Sequence, residues 1–309
     1  MTIAAGDRED EVTARATVSA RRIASGVMIP PVVDVEWLHA NRERVHLADA
    51  RWYLDGRSGP DAYAAGHLPG AVFVDLDRWL AGPATAADGR HPLPDPTVFA
   101  RGMAALGIGD GDVVVAYDDA GGVIAARLVW MLRATGQDAA LLDGGLHGFD
   151  APLEIGPGPT PQPATFTARP WPAARLVTID EITDEITDET IDKTGGAATV
   201  VIDARQRERF RGDPDPVDAR SGHIPGAVSV PCRENLTDEG HFVPVDQLRA
   251  TFAAAGIDDA AAVVSYCGSG VTACHNLLAL EHAGLGLGRL YPGSWSQYAA
   301  TDRPIESGD

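Results

Sequence analysis

The chain has 309 residues, of which 45% are hydrophobic and 22% are charged, and its formal net charge is −19. This length predicts about two domains, each able to bury its own core. The acidic balance disfavours nucleic acid and anionic membranes as partners, because both attract basic surfaces. An anionic substrate must therefore be drawn in by positive groups close to its site.

The N-terminal residues 1–28 are rich in Ala, Arg, Glu and Asp and contain no sustained apolar stretch. They lack the apolar segment of a secretory signal and are too acidic for a transit peptide, so we expect a flexible arm.

Short β-branched runs alternate with helical stretches through the first half of the chain. A helix is predicted from Ala125 to Thr135, with Gly136 in the usual position after a helix end. Strands alternating with helices imply a parallel sheet covered on both faces. The predicted strands are residues 45–50, 72–74, 113–117 and 139–142.

The middle of the chain divides it. Residues 156–172 carry six prolines and little periodicity, which predicts a linker at 153–175 between domains at 29–152 and 176–309. An acidic near-repeat at 182–189 opens the second half. It fits either a helix extension or a solvated excursion, because Thr and Asp favour caps and turns.

The second half repeats the first, which indicates one fold used twice. After the repeated tyrosines, Asp118 of the first half stands opposite Cys267 of the second. The chemistry is therefore assigned to the second domain, and the first is predicted to form one wall of a cleft at the domain interface. The repeated motifs are Asp-Ala-Arg (from Asp49 and Asp203), Gly-His-Leu/Ile-Pro-Gly-Ala-Val (from Gly66 and Gly222) and a valine-rich run ending in tyrosine (Tyr117 and Tyr266).

Cys267 lies between a strand-like valine run and a helical stretch. Unpaired backbone N–H groups and the positive end of a helix dipole favour the thiolate at such a turn. Glycines let the backbone curl so that successive amides face one anion. The sequence thus predicts an activated cysteine in a small anion cradle, the alternative being an inert core thiol. The predicted cradle residues are Gly268, Ser269, Gly270, Val271, Thr272 and Ala273.

Three cysteines, Cys232, Cys267 and Cys274, are too few for a disulfide framework and fit a reduced, cytoplasmic protein. No Cys-x-x-Cys pair or paired histidine motif supports a metal site.

Together these motifs resemble the rhodanese, or sulfurtransferase, family in its tandem two-domain form, over residues 30–306. The resemblance implies an α/β fold with two rhodanese-like domains, each a five-stranded parallel sheet flanked by helices. It also implies that Cys267 takes a sulfane sulfur from a small anionic donor as a persulfide, without a further cofactor. Cyanide, a small thiol or a thioredoxin-like protein would then accept the sulfur.

The cysteine loop bears on the choice of donor. Family members that prefer thiosulfate carry basic residues after the cysteine, whereas mercaptopyruvate sulfurtransferases carry Gly-Ser-Gly or Gly-Thr-Gly, as here. The resemblance implies that Arg209 binds the donor's carboxylate, which suits the fork of a guanidinium. The family's second arginine is replaced by Val217, and Arg220 is predicted to substitute for it.

Proton handling is also implied by the resemblance. Ser269 is expected to act with His67 and a carboxylate, for which Asp61 and Asp55 are nearby candidates. A structural role for His67 is an equal alternative, since His223 holds the same place in the second repeat.

Three other functions compete with mercaptopyruvate sulfurtransfer. A cysteine phosphatase needs an arginine at the end of the loop, where this chain has Ala273 and Cys274, and this is disfavoured. A thiosulfate sulfurtransferase and a non-catalytic rhodanese-like binding module remain alternatives.

Overall fold

The computed structural model describes residues 28–187, 199–214 and 217–308. The predicted arm, apart from Met28, and the last two residues of the acidic near-repeat lie outside these ranges. The rest of that near-repeat belongs to a helix, Ile179–Thr187. None of the helices in the described ranges has the length and apolar character that crossing a bilayer requires.

The first half forms a five-stranded parallel sheet in the order β1-β5-β4-β2-β3. The predicted strands and the helix after the central strand are confirmed. Gly136 follows that helix with φ of 83°, a conformation that glycine adopts without strain. The elements are β1 (Val32–Val33), α1 (Val35–Asn41), β2 (Val45–Asp49), α2 (Gly59–Ala65), β3 (Val72–Phe73), α3 (Pro96–Ala105), β4 (Val113–Tyr117), α4 (Ala126–Ala134) and β5 (Ala139–Leu142).

In its described residues, the second half repeats this architecture with four parallel strands in the order β7-β6-β8-β9. Its elements are α5 (Ile179–Thr187), β6 (Val200–Asp203), α6 (Arg207–Arg211), β7 (Val228–Ser229), α7 (Val245–Ala254), β8 (Val263–Tyr266), α8 (Ala273–His282), β9 (Arg289–Leu290) and α9 (Ser294–Tyr298).

The prediction of five strands in each sheet is therefore corrected for the second domain. The fifth position, beside β9, holds a single parallel bridge between Leu176 and Leu290. Pro172 precedes it and leads into a short 3₁₀ helix, Ala173–Arg175. Because proline lacks an N–H and this turn ends just before the bridge, little extended chain is left to pair.

The two domains share one apolar core. The central strands β4 and β8 are buried along their whole length. Helices α4 and α8, which follow them, pack against each other across the interface, with Leu128 and Leu132 in the same buried cluster as Leu277 and Leu280. The carboxyl ends of the central strands are thereby held in fixed relation to each other.

The repeated motifs are structural. Arg51 binds both carboxylate oxygens of Asp49 and donates to the Gly66 carbonyl oxygen, at 2.7 Å. This buried pair joins the end of β2 to the Gly-His-Leu-Pro-Gly turn, where the Tyr117 hydroxyl accepts the Leu68 N–H. The second half repeats the contacts with Asp203, Arg205, Gly222, Ile224 and Tyr266.

Asp118 fills the cradle of the first domain. Its side chain is fully buried where β4 ends, and each carboxylate oxygen accepts two backbone N–H groups at 2.7–2.9 Å. The turn at the end of a central strand thus binds a negative charge in this fold, here one supplied by the chain itself. The four donors are the amides of Ala120, Gly122, Ile124 and Ala125.

Replacing Asp118 with Asn should lower the free energy of unfolding by about 2–3 kcal/mol, because an amide offers one acceptor atom where the carboxylate offers two. Urea unfolding checks this, with the exposed Asp61→Asn as the control, expected to change stability by less than about 1 kcal/mol. Equal stability of the two variants would contradict the role given to Asp118.

Candidate active site

Cys267 lies directly after β8 and is 2% exposed. The Gly270 N–H donates to its Sγ at 3.1 Å, and its own N–H donates to the Ser294 hydroxyl at 3.2 Å. The sulfur is thus held against a backbone amide in the turn just before α8. Gly270 has φ of 76°, and a Cβ there would lie 2.4 Å from the Pro292 carbonyl oxygen, so the turn requires glycine.

The segment after β9 braces the cysteine loop. The Trp295 N–H donates to the Cys267 carbonyl oxygen and the Ser296 N–H to that of Gly268, both at 2.9 Å. Val271 and Thr272 line the cleft, and buried Ala273 begins α8. The loop is therefore fixed on both sides before any substrate arrives.

A chain of polar side chains from the first domain reaches the loop. His91 Nδ1 lies 2.8 Å from the Ser269 hydroxyl, and His91 Nε2 lies 3.5 Å from the Asp77 carboxylate. Trp52 contacts the imidazole edge-on and donates its indole N–H to Asp77. With Nε2–H directed at the carboxylate, Nδ1 is the acceptor for the serine proton; this tautomer is assigned from the contacts.

Burial lowers the pKa of His91 to about 4, although the Asp77 charge opposes the shift. The nearby guanidiniums of Arg127 and Arg90 lower this pKa further. The imidazole is therefore neutral at physiological pH, and its Nδ1 can accept a hydrogen bond from the Ser269 hydroxyl.

Arg127 ties the histidine to the cysteine loop. Its guanidinium is fully buried between the domains and donates to the carbonyl oxygens of Leu80 (3.3 Å), Gly270 (2.9 Å) and His91 (3.1 Å). A desolvated cation destabilises the fold unless its N–H groups are hydrogen-bonded. Here those hydrogen bonds hold the His91 and Gly270 backbones at a fixed separation.

The cysteine lies at the base of a cleft of about 660 Å³ between the domains. The predicted cationic surroundings are present despite the acidic chain. The basic lining consists of Arg57, Arg90, Arg205, Arg209 and Arg233, and the acidic lining of Asp55 and Asp119. Focusing of positive charge in a concave site raises the local concentration of an anion.

The assignment of His67 to the site is corrected by the geometry. The ring is fully buried, stacked on Tyr63 at 3.9 Å, and its Nδ1 lies 2.9 Å from the Tyr63 carbonyl oxygen. His223 makes the same two contacts with Phe210. The repeated histidine therefore supports the fold in each domain and does not line the cleft.

Asp61 and Arg220 are also not brought to Cys267. Asp61 is exposed in the first turn of α2, where Ser58 caps the helix and an acidic side chain is favoured by the dipole. Arg220 Nη1 donates to the Thr301 and Arg303 carbonyl oxygens, at 2.7 and 2.9 Å. Those bonds turn the guanidinium toward the C-terminal loop and away from the cleft, whereas Arg209 does line it.

Four residues of the site were not predicted from the sequence, namely Asp77, Arg90, His91 and Arg127. The available signal was a polar Gly-Arg-His-Pro segment inside an irregular loop of the first half. A histidine outside the repeated Gly-His motif is free of that motif's structural task. Its meeting with Ser269, however, depends on how the domains dock.

The fold and the site together define a duplicated α/β protein whose second domain places a cysteine, Cys267, at the base of a cleft between the domains. No cluster of His, Cys, Asp or Glu suited to a metal ion occurs among the residues that the structure describes.

Comparison with known proteins gives the family. The model of the rhodanese-like domain matches residues 34–152 and again 183–301. The chain belongs to the rhodanese family, in its tandem form, and is a sulfurtransferase. This confirms the predicted family, fold class and enzyme class.

Individual relatives span most of the chain. It is 40% identical to the "Probable 3-mercaptopyruvate sulfurtransferase" of Pseudomonas aeruginosa over 85% of this chain and 92% of the relative. It is 39% identical to a Mycobacterium tuberculosis protein named as a thiosulfate sulfurtransferase, over 85% and 91%. The structure of 3-mercaptopyruvate sulfurtransferase from Leishmania major matches with a TM-score of 0.77 and 29% identity, covering 91% of this chain and 76% of that one.

The His91 environment makes stability depend on pH. A histidine whose pKa is lowered by folding stabilises the protein above its unfolded pKa near 6.5 and loses that contribution as the pH falls toward 4. Between pH 7 and 4, wild type should therefore lose about 2–3 kcal/mol more than His91→Gln. Urea unfolding of both proteins across this range checks the expectation, and parallel pH profiles would contradict it.

Proposed function

We propose that the enzyme transfers sulfur from 3-mercaptopyruvate to a thiophilic acceptor through a persulfide on Cys267. The Cys267 thiolate attacks the donor sulfur, the donor's carbon–sulfur bond breaks, and its electron pair passes to carbon as the enolate of pyruvate. The thiol proton of the donor ends on that carbon, so the products are pyruvate and the persulfide anion. Cyanide would then take the outer sulfur as thiocyanate and restore the thiolate; a thiol could accept it in the same way.

The observation that carries this proposal is the hydrogen bond between Ser269 and His91, with Asp77 behind the imidazole. A carbon leaving group needs a proton, and a neutral imidazole beside a hydroxyl can relay one from sulfur to carbon. The Gly270 amide, which already reaches Cys267 Sγ, would stabilise the persulfide anion in the cradle. Arg209, in the wall of the cleft, would bind the donor's carboxylate.

Thiosulfate transfer is the second candidate, supported by the mycobacterial relative's name and by the arginine-lined cleft. Sulfite leaves thiosulfate as a stable anion that needs no proton, so thiosulfate transfer would not require proton transfer through Ser269 and His91. Mercaptopyruvate uses both the relay and the cations. We also place the enzyme in the cytoplasm, since all three cysteines are free and buried thiols suit a reducing compartment.

Steady-state assays with both donors and cyanide as acceptor test the substrate. We expect kcat/KM for mercaptopyruvate to exceed that for thiosulfate at least about tenfold, and Cys267→Ser to abolish turnover of both, since the hydroxyl is a far weaker nucleophile. Cys232→Ser, which alters another thiol of the cleft wall, is the matched control and should keep turnover. A higher kcat/KM for thiosulfate would overturn the donor assignment, and an active Cys267→Ser the mechanism.

The relay predicts non-additive mutations. Ser269→Ala and His91→Gln should each lower kcat for mercaptopyruvate by about 10²-fold, and the double variant should fall little further, because the two groups act as one unit. His67→Gln, a buried histidine outside the cleft, is the control and should keep kcat per folded enzyme. Losses that multiply in the double variant would show that Ser269 and His91 act separately.

A further inference from the structure

Arg90 occupies a position that the sequence analysis did not consider. It belongs to the first domain, immediately before His91, yet its guanidinium lines the cleft of the second domain's cysteine. The donor's carboxylate was expected to meet Arg209 and Arg220, but Arg220 is bound to the C-terminal loop. Arg90 therefore places a guanidinium in the cleft where Arg220 was expected to provide the second one for the donor's carboxylate.

Asp218 holds Arg90 and Arg209 side by side. Its carboxylate is 1% exposed; one oxygen accepts from Arg90 Nη1 and the other from Arg209 Nη2, the latter at 2.6 Å. The Arg90 and Arg209 side chains remain 28% and 23% exposed. The buried Asp218 carboxylate thus fixes two guanidinium groups from different domains, and part of each arginine side chain lines the cleft.

The two guanidiniums converge next to the nucleophile. A Cβ built on Gly268 would lie 2.9 Å from Arg90 Nη2, and 3.3 and 3.5 Å from Arg209 Nη2 and Nη1. Gly268 directly follows Cys267 in the chain, so both forks are within the reach of a short donor whose sulfur contacts Cys267. Planar forks of this kind bind carboxylates through paired hydrogen bonds.

The position of Arg90 is set by the same segment that braces the cysteine loop. The Arg90 N–H donates to the Ser296 hydroxyl at 3.0 Å, and Ser296 in turn donates its N–H to the Gly268 carbonyl oxygen. Gly89, with φ of 87°, lets the loop approach Gly293 so closely that a Cβ would lie 2.6 Å from the Gly293 carbonyl oxygen. Arg90 is therefore anchored to the second domain.

We propose that Arg90 is a specificity-determining residue that binds the carboxylate of the donor together with Arg209, across the domain interface. The substrate class it selects is a short α-keto acid that carries a thiol. This assignment rests on the proposed function for its substrate, and the experiment below separates the two.

The test compares kinetics with binding. Arg90→Gln should raise KM for mercaptopyruvate about 10–100-fold and change kcat less than about threefold, because it removes a charged hydrogen bond that the bound donor and the transition state both make. In a Cys267→Ser background, calorimetry should show pyruvate binding weakened by a similar factor. Arg90→Lys, which keeps the charge without the fork, should fall between. Arg78→Gln, an exposed arginine of the same domain outside the cleft, should leave KM unchanged.

Asp218→Asn separates direct binding from support of Arg209, since it keeps both guanidinium charges. We expect a smaller loss of pyruvate affinity than in Arg90→Gln, and an equal loss in both variants would overturn direct contact by Arg90. Unchanged KM and pyruvate affinity in Arg90→Gln would overturn the assignment while the proposed function stands. Wild type that does not turn over mercaptopyruvate, but binds pyruvate through Arg90, would overturn the function and keep the carboxylate site.

Discussion

The structure depends on the turn at the carboxyl end of each central strand, where unpaired backbone N–H groups need a hydrogen-bond acceptor and favour an anion. The two domains supply that acceptor in different ways. Backbone N–H groups converge there because the strand ends and a helix begins within a few residues. In the first domain the Asp118 side chain supplies the acceptor oxygens, through four backbone N–H hydrogen bonds. In the second, Cys267 supplies a sulfur that one amide already contacts. The aspartate occupies its cradle as a fixed part of the chain, whereas the proposed mechanism extends the Cys267 thiolate by one sulfur atom and then restores it. The same backbone turn therefore stabilises the fold in one half and, in the proposed function, holds the reacting sulfur in the other.

Side chains of the domain that lacks the cysteine reach the cysteine loop of the other domain. His91 reaches Ser269, and Arg127 spans the interface to Gly270. The second domain sends an equivalent loop back, where His241 Nδ1 lies 3.2 Å from Asp143 and the Phe242 N–H donates to the same carboxylate. Each loop thus covers the strand ends of the other domain. Because the shared core fixes the two cradles relative to each other, side chains from separate domains can be held at hydrogen-bonding distance without a substrate to organise them.

Local pattern was sufficient for the predicted strands, for the helix after the first central strand and for the turn that holds Cys267. The valine-rich strands, the helix stop at Gly136 and the cysteine turn depend on short stretches of chain, whose conformation is dictated by neighbouring residues. The four-stranded second sheet was not predictable in this way. Its outer strand is reduced to a single bridge because Pro172 and a 3₁₀ turn come directly before Leu176, where the chain passes β9. The assignment of His67 failed for a different reason: a motif present in both halves supports what both halves share, which is the fold. His91 and Arg90, to which the proposals assign roles in the reaction, come close to the cysteine loop only through domain docking.

The placement of charge shows why the neutral cysteine loop is compatible with an anionic donor. Cations within the loop itself would sit directly at the transferred sulfur. Here Arg209 and Arg90 stand beside Gly268, to one side of Cys267, while the sulfur contacts the Gly270 amide, which adds no formal charge. The proposed function therefore assigns attraction of the donor and stabilisation of the persulfide to different groups. The formal net charge of −19 disfavours anions in general, so the proposed function gives the guanidiniums that line this cleft the selection and orientation of the donor.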